Sequence, residues 1–394
     1  MNKRIELLAP AGDFEKLKTA LYFGADAVYL GGKEFSLRAF ADNFTEEELA
    51  AAVACAHGQG RKVYVTVNIF ARNADFARLG RYFAFLQEIG ADAALVTDAG
   101  ALACARSAAP RLPLHLSTQA NTTNKYAAKF WQEQGVSRVV LARELSLAEI
   151  AEIHAFCPDL ELEAFVHGAM CISYSGRCLL SNYLDGRDSN RGACVQACRW
   201  RYTVLPEGGR LSLAAEEDGR GTYLFNSKDL NMLPYLSELA EAGVCSFKIE
   251  GRMKSRYYLA NTVNAYRRAL GGAPLPAMEE ELEKCAHRAF TAAYAFGENA
   301  ETVNYENAQR AGTRAYAADV LEGGGASLVQ MRGRFRVGDE LEILSPSASF
   351  NGRFTVGEMT DEAGAPVTDA KRVMQKLHLS CPWPLHAGDI LRKV

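Results

Sequence analysis

The chain has 394 residues, of which 48% are hydrophobic and 23% charged, and its formal net charge is −3 at pH 7. This length suffices for one large barrel with an appendage or for two to three domains. The charge excludes a protein whose whole surface attracts nucleic acid, so such binding needs a local basic patch. No run approaches the ~18 apolar residues of a membrane span. The first residues lack a signal-peptide pattern, and we expect a cytoplasmic protein with reduced thiols.

Apolar and β-branched runs recur along the first two thirds of the chain, with room for a helix between most of them. The intervening segments place apolar residues at helical spacing, and several end in glycine. Eight buried strands that alternate with helices favour a (β/α)8 TIM-like barrel of the α/β class over an open doubly wound sheet. The predicted strands are residues 5–10, 27–32, 62–68, 93–98, 114–121, 138–142, 162–169 and 245–251.

The connection between the seventh and eighth predicted strands is unusually long and spans residues 170–243. It contains a predicted hairpin at 201–213 and a predicted helix at 234–242. Long insertions at the carboxyl ends of barrel strands are places where function accumulates. We therefore expect the active site beside this insertion.

The pattern changes near Glu301 to short strands separated by glycine turns. Such a pattern predicts a small β-barrel. The predicted domains are accordingly a barrel with its insertion at 1–298 and a C-terminal β-barrel domain at 299–394.

Four of the ten cysteines crowd into the insertion with the spacing Cys-x6-Cys-x15-Cys-x3-Cys. This spacing differs from the close cysteine pairs of a zinc ribbon, whereas a [4Fe-4S] cluster accepts four irregularly spaced cysteines. The spacing favours the cluster and leaves zinc or unliganded thiols as alternatives. Cys245, which opens the eighth strand, is a possible fifth ligand. The four cysteines of this window are Cys171, Cys178, Cys194 and Cys198.

The segment at 163–181, EAFVHGAMCISYSGRCLLS, closely resembles the signature of the U32 family of so-called peptidases. The segments ELLAPAGDFEKLKTALYFGADAVYLGG, NRGACVQACRWRY and SFKIEGRMKS are similar to the same family, so the resemblance covers most of the chain. It implies a barrel with a [4Fe-4S] cluster held by the four cysteines of the window. It also implies hydroxylation of RNA bases or ubiquinone precursors without molecular oxygen. The sub-group that the chain most resembles is the prephenate-dependent tRNA uridine 5-hydroxylases, which act on the wobble uridine.

Hydrolysis of peptides, collagenase-like as the family name suggests, is the alternative function. The sequence contains no GxSxG elbow and no HExxH motif. A thiolate that binds iron is also not free to act as a peptidase nucleophile. Hydroxylation of rRNA or of a quinone precursor remains a second alternative, as does a cluster-holding RNA-binding protein without its own catalysis. A partner subunit is compatible with all of these readings.

Basic and aromatic residues lie between and after the window cysteines. Arginines bind phosphates and aromatic rings stack on unpaired bases, a combination that suits the anticodon loop of a tRNA. The structural alternative is that some arginines pair with Asp185 and Asp188 and that the tryptophan covers the cluster. Arg332, Arg334 and Arg336 in the C-terminal domain are candidates for a more distant contact with tRNA. The residues predicted to bind RNA at the window are Arg177, Arg187, Arg191, Arg199, Trp200 and Arg201.

Polar side chains at the predicted strand ends should line the barrel mouth. His167, four residues before Cys171, is a candidate proton donor, and Glu163 and Lys248 complete the predicted catalytic set. Prephenate, implied by the resemblance, is a dicarboxylate and needs cationic forks to bind it. A structural role, as packed or internally paired groups, is the alternative for His167 and Lys248. The predicted substrate-binding residues are Arg38, Asn68, Gln119, Arg143, Glu250 and Arg252.

Overall fold

The computed structural model describes residues 5–37, 42–200, 226–297 and 311–394, and the backbone at 217–218 and 221–222. Its strands up to residue 291 include all eight predicted barrel strands. They are β1 (Glu6–Pro10), β2 (Ala27–Gly31), β3 (Lys62–Val67), β4 (Ala93–Val96), β5 (Leu114–Leu116), β6 (Arg138–Val140), β7 (Glu161–Ala169), β8 (Glu217–Asp218), β9 (Gly221–Thr222), β10 (Asp229–Asn231), β11 (Val244–Ile249) and β12 (Phe290–Thr291).

Strands β1 to β7 pair in parallel in chain order, and β11 closes the barrel by pairing in parallel with both β1 and β7. Ser246 of β11 lies opposite Glu6 on one side and Glu163 on the other. Strand β2 is buried along its whole length, as parallel strands covered on both faces usually are. The predicted closed TIM-like barrel is confirmed.

Side chains fill the centre of the barrel, so that it is a packed core rather than a pore. The buried interior cluster contains Leu8, Ala27, Tyr29, Tyr64, Ala93, Leu95 and Val140, with Phe165 packed against it.

The helices begin at well-defined caps. Thr45 and Ser146 each form a capping box with a glutamate three residues later. Asp98 and Asn124 accept a backbone hydrogen bond at the start of their helices. The helices are α1 (Phe14–Tyr22), α2 (Glu46–His57), α3 (Phe76–Glu88), α4 (Ala99–Ala108), α5 (Lys125–Glu133), α6 (Leu147–Phe156), α7 (Leu180–Asp185), α8 (Leu236–Glu241), α9 (Arg256–Leu270) and α10 (Leu275–Leu282).

The insertion starts directly after β7 and contains α7 and several short 3-10 turns. Its later part returns as β10, which pairs antiparallel to the end of β7, with Asn231 opposite His167. Strand β12 then pairs with β10, so the sheet continues beyond the closed barrel. The predicted helix at 234–242 is confirmed as α8, whereas the hairpin predicted at 201–213 lies outside the described residues.

The C-terminal part of the chain is an antiparallel half-barrel, which confirms the predicted β-domain. Its eight-stranded sheet has the order β17-β16-β22-β13-β14-β21-β18-β19, and β15 pairs separately with β20. These strands are β13 (Ala315–Glu322), β14 (Ser327–Met331), β15 (Phe335–Arg336), β16 (Glu340–Leu344), β17 (Arg353–Thr355), β18 (Met359–Asp361), β19 (Pro366–Val367), β20 (Asp369–Ala370), β21 (Lys376–Leu379) and β22 (Ile390–Lys393).

The chain forms two compact units. The first consists mainly of Ala25–Met253, and the second of Lys254–His287 with Ala311–Val394 and a short segment of α1. The predicted boundary at 298 falls outside the described residues and stays a prediction. Within the part of the chain that the structure describes, no helix is long and apolar enough to cross a membrane.

Candidate functional site

An ion-pair network occupies the half of the barrel interior in which the strands begin. Glu163, which is fully buried, accepts hydrogen bonds from Lys248 Nζ at 2.7 Å and Arg138 Nη1 at 3.2 Å. Arg138 also contacts Glu6 at 2.6 Å. The structure therefore brings two predicted catalytic residues, Glu163 and Lys248, together with each other inside the barrel.

Each charged group in this network favours the charged form of its oppositely charged partners. Burial alone would raise the pKa of the Glu163 carboxyl, but the Lys248 ammonium and the Arg138 guanidinium hold it below its usual value. Burial lowers the pKa of Lys248, and the contact with Glu163 opposes that shift. Glu163 is thus a carboxylate at neutral pH, held by two cations.

At the barrel mouth, where the strands end, hydroxyl groups surround the Arg252 side chain. Its Nη1 donates to Thr66 Oγ1 at 3.1 Å and its Nη2 to Ser36 Oγ at 2.8 Å. A Cβ atom at Gly31 would lie 2.3 Å from Arg252 Nη1, so only glycine leaves room for the guanidinium. Arg252 is 3% exposed. A buried cation therefore stands at the mouth, and its predicted role in binding a carboxylate stays a prediction.

Arg143 is the second cation at the mouth. Its guanidinium lies 3.9 Å from the centre of the Phe165 ring, and Nη1 donates to the Ala169 carbonyl at 2.8 Å. Its Nη2 lies 4.0 Å from Glu250 Oε2, a carboxylate that also accepts from the Tyr29 hydroxyl at 3.3 Å. The Nε of Arg143 is buried and has no hydrogen-bond partner among the described residues. One donor of this planar cation therefore lacks an acceptor in the described part of the chain.

The remaining predicted mouth residues are also polar and mostly buried. Asn68 Nδ2 donates to Gln119 Oε1 at 3.2 Å, which fixes both amides. His167 is 2% exposed and packs against Phe290, with 5.5 Å between the ring centres. Arg38 lies outside the described residues.

Two further polar atoms at the mouth lack partners in the described part of the chain. They are Asn121 Oδ1 and Thr122 Oγ1, which follow β5, and both are buried. Burying a polar atom without a hydrogen bond is costly. Each of these atoms, like Arg143 Nε, would gain a hydrogen bond from a polar ligand that reached it.

The four cysteines of the window follow β7 and lie within electrostatic reach of one another. Burial raises the pKa of Cys171, and the Cys178 and Cys194 thiols add to the shift, while Arg143 opposes it. Burial also raises the pKa of Cys198 to about 11; Arg199 opposes this shift, and the other three thiols add to it. If all four thiols are deprotonated, their negative charges need a compensating positive charge nearby. A metal centre supplies that charge.

Backbone and side-chain donors point at two of these sulfur atoms. The Leu180 N–H lies 3.3 Å from Cys178 Sγ, and the Gln196 N–H lies 3.4 Å from Cys194 Sγ. Ser181 Oγ donates to Cys194 Sγ at 3.9 Å. Such donors stabilise the negative charge on metal-bound thiolates. Among the described residues, no three His, Cys, Asp or Glu side chains are grouped closely enough to hold one metal ion.

The window is fastened to the barrel by contacts that the sequence does not reveal. Arg191 forms a two-pronged ion pair with Asp75, at 2.7 and 3.0 Å. Asn190 Nδ2 donates to the Cys178 carbonyl at 2.9 Å. Glu144 accepts from the Ser175 N–H at 2.6 Å and holds a turn in which Ser175 has φ of 43°. These residues position the cysteines although none of them is a ligand candidate.

The residues predicted to bind RNA divide into two groups. Arg177, Arg187 and Trp200 are exposed, although Arg177 Nε donates to the Gln119 carbonyl and Arg187 pairs with Asp185. Arg191 is engaged by Asp75, and the half-buried Arg199 donates to Gln196 beside the cysteines. Arg201 lies outside the described residues. Exposed Tyr174 and Tyr183 add aromatic surface to the window.

Cys245 lies at the opposite end of the barrel from the window. It is the second residue of β11, and its thiol donates to the Leu162 carbonyl near the start of β7. The window begins after the end of β7, about 20 Å further along the strand at ~3.3 Å per residue. Because parallel strands all start at one end of a barrel, this position separates Cys245 from the four cysteines.

Comparison with known proteins identifies the family. The model of Peptidase family U32 matches residues 12–305, and that of the U32 C-terminal domain matches residues 313–392. The chain is 38% identical to the tRNA hydroxylation protein P1 of Bacillus subtilis, over 100% of this chain and 96% of the relative. It is 40% identical to a 23S rRNA 5-hydroxycytidine synthase of Escherichia coli, over 68% of this chain and 39% of the relative. It is 30% identical to a collagenase of Porphyromonas gingivalis, over 87% of each chain. The chain therefore belongs to peptidase family U32.

Proposed function

We propose that this protein is a tRNA-modifying enzyme that catalyses the prephenate-dependent 5-hydroxylation of the wobble uridine of tRNA. The observation that carries the proposal is that four thiols within electrostatic reach of one another follow β7, at the end of the barrel where the buried Arg252 and the largely buried Arg143 lie. The relative from Bacillus subtilis, described as a tRNA hydroxylation protein and aligned over the full chain, supports tRNA as the substrate.

The donor set fits a [4Fe-4S] cluster held by Cys171, Cys178, Cys194 and Cys198. The four thiols lie within electrostatic reach of one another, N–H groups point at two of the sulfurs, and Arg143 acts electrostatically on Cys171. A four-iron cluster is larger than a single ion, so its thiolates stand further apart than those of a zinc site. When bound, such a cluster supplies electron transfer next to the substrate.

The mouth residues of the barrel suit a dicarboxylate. Arg252 is held by two hydroxyl groups, and Arg143 Nε has no partner among the described residues, so two cationic forks follow strand ends at the barrel mouth. A guanidinium binds a carboxylate through parallel N–H···O bonds, which fix orientation as well as position. In this proposal the two arginines bind the carboxylates of prephenate, and Glu250 orients Arg143.

Aromatic side chains of the window suit an unpaired base. Tyr174, Tyr183 and Trp200 are 51%, 83% and 41% exposed, and they belong to the same segment as the cysteines. An enzyme that modifies a base needs that base out of its stack, and aromatic rings hold such a base by stacking. These residues would present the wobble uridine to the mouth.

Mass spectrometry of tRNA nucleosides tests the proposal. A strain that lacks this gene should lose 5-hydroxyuridine derivatives from its tRNA, and the wild-type gene should restore them. A gene that encodes the Cys178→Ser variant should not, whereas one that encodes the Cys55→Ser variant should, because Cys55 lies on α2 outside the window. Unchanged tRNA nucleosides would contradict the proposal.

Peptide hydrolysis is the second candidate, because a relative is described as a collagenase. Hydrolysis of gelatin by purified protein, unaffected by Cys178→Ser, would favour it. Altered rRNA or quinone in the deletion strain would instead identify rRNA or a quinone precursor as the substrate. If activity required a copurifying subunit, this chain would have a supporting role rather than a catalytic one.

A further inference from the structure

Two segments of the half-barrel that are far apart in sequence meet in a single basic surface. Strand β15 pairs with β20, with Arg336 opposite Asp369, and the Met331 N–H donates to the Gln375 carbonyl at 2.8 Å. The segment at 332–336 therefore lies beside the segment at 369–376. The half-barrel basic surface formed in this way contains Arg332, Arg334, Arg336, Lys371, Arg372 and Lys376.

Carboxylates hold some of these cations in place without neutralising the surface. Arg334 forms a two-pronged pair with Asp369 at 2.6 and 3.0 Å, and Arg336 lies 3.5 Å from the same carboxylate. The hydrogen bond from Arg334, with the nearby charges of Arg336 and Lys371, lowers the pKa of Asp369 to about 2. The single carboxylate of Asp369 thus interacts with the charges of Arg334, Arg336 and Lys371.

Three other carboxylates also lie beside these cations: Asp319, which additionally pairs with Arg256 at 2.8 Å, Asp339, whose Oδ2 accepts from the Arg336 backbone N–H at 2.8 Å, and Glu362. Buried Asp319 lies 2.5 Å from Arg332, and Glu362 lies 3.3 Å from Lys376. The six cations of the surface therefore outnumber the four carboxylates beside them, although the whole chain has a net charge of −3. An excess of positive charge gathered at one place in an acidic chain is the electrostatic footprint of a polyanion-binding surface.

The centre of this surface projects into solvent. Lys371 and Arg372 are exposed, and next to them Val373 is 87% exposed and Met374 44% exposed. Exposed cations around an apolar tip can contact phosphates with the charged groups and the sugar with the tip. Phe335, which lies between Arg334 and Arg336, is fully buried, so the alternation of RGRFR places both arginines on the outer face.

We propose that the half-barrel basic surface binds the sugar-phosphate backbone of RNA, with Lys371 and Arg372 as the main phosphate contacts. This inference rests on the proposed function for the identity of the RNA as tRNA. It assigns the C-terminal domain a binding role separate from the chemistry at the barrel mouth.

The test measures binding of an unmodified tRNA transcript to the full-length protein at several salt concentrations. The Lys371→Glu, Arg372→Glu double variant should bind at least tenfold more weakly, and its log–log salt slope should fall by about 2 because two phosphate contacts are lost. Its thermal unfolding should match wild type, since both side chains are exposed. The matched control is Arg111→Glu, Lys129→Glu, which removes the same charge from exposed barrel positions and should leave tRNA affinity unchanged.

An affinity of the double variant within twofold of wild type would overturn the proposal. An equal loss in the control would also overturn it, because the effect would then reflect net charge alone. Binding to phosphatidylglycerol vesicles that requires Lys371 and Arg372, without such a requirement for tRNA, would replace RNA with a membrane surface. If the deletion strain retains its modified uridines while the double variant loses tRNA binding, the proposed function fails and this inference stands.

Discussion

The two ends of the barrel interior use charge in different ways. In the barrel interior below the mouth, Arg138, Lys248, Glu6 and Glu163 form direct ion pairs of 2.6 to 3.2 Å. Where the strands end, Arg143 stands 4.0 Å from Glu250, and its Nε has no partner among the described residues. The first arrangement satisfies its charges internally and stabilises the fold. The arrangement at the mouth leaves a hydrogen-bond donor for a ligand. The mouth, and not the buried ion-pair network, is therefore the candidate site.

Breaking the buried ion-pair network of Glu163, Lys248 and Arg138 should cause the largest loss in the free energy of unfolding. Glu163→Gln keeps the size of the side chain but leaves Lys248 and Arg138 without this carboxylate in a buried place. Removing one partner of a buried ion pair costs about 3–5 kcal/mol. Guanidinium unfolding, followed by circular dichroism, measures the loss of unfolding free energy.

The matched control for this prediction is Glu34→Gln. Glu34 pairs with Arg78 on the surface, where both side chains are about half exposed, and such pairs contribute about 0–1 kcal/mol. Equal effects of the two substitutions would show that the buried network does not have the stabilising role described above.

A substitution at the mouth should instead affect ligand binding. Arg143→Gln should raise the KM for prephenate by about 10–100-fold, which corresponds to the loss of one charge-assisted contact. The KM for tRNA and the unfolding midpoint should change little. Arg106→Gln, at an exposed position on α4, is the control. An unchanged KM for prephenate would remove Arg143 from the substrate site.

The anchor between the window and the barrel should show the smallest effect and a defined pH dependence. The hydrogen bonds from Arg191 lower the pKa of Asp75 from 3.8 to about 2. A lowered carboxyl pKa stabilises the fold fully above pH ~4, and this contribution is lost as the pH falls through about 2. Asp75→Asn should cost about 1–2 kcal/mol at pH 7.

Unfolding of the wild type and of Asp75→Asn at pH 7, 4 and 2.5 measures this dependence. The difference between them should stay constant from pH 7 to pH 4 and shrink at pH 2.5. A difference that grows as the pH falls would contradict the lowered pKa of Asp75.

The barrel could be predicted because its strands are buried on both faces and therefore form continuous apolar runs. Strand β10 was not predicted, since three residues such as Asp229–Asn231 produce no periodicity. Cys245 was kept as a possible fifth ligand, although its place at the start of its strand puts it at the end of the barrel opposite the mouth.

The partners of the arginines could not be predicted from local sequence. Arg191 lies among the window cysteines, but its carboxylate partner Asp75 is 116 residues away. The same holds for the half-barrel, where Arg336 and Asp369 meet only through the pairing of β15 with β20. Which cations are satisfied and which face solvent depends on tertiary contacts, so the predicted RNA-binding set contains both kinds.

The central claim is that the window holds an iron–sulfur cluster at the barrel mouth. Iron, acid-labile sulfide and zinc should be quantified in anaerobically purified protein, with Cys178→Ser and Cys245→Ser in parallel. We predict about four irons and four sulfides per chain in the wild type and in Cys245→Ser, and a loss of both in Cys178→Ser. One zinc per chain without sulfide would contradict the account.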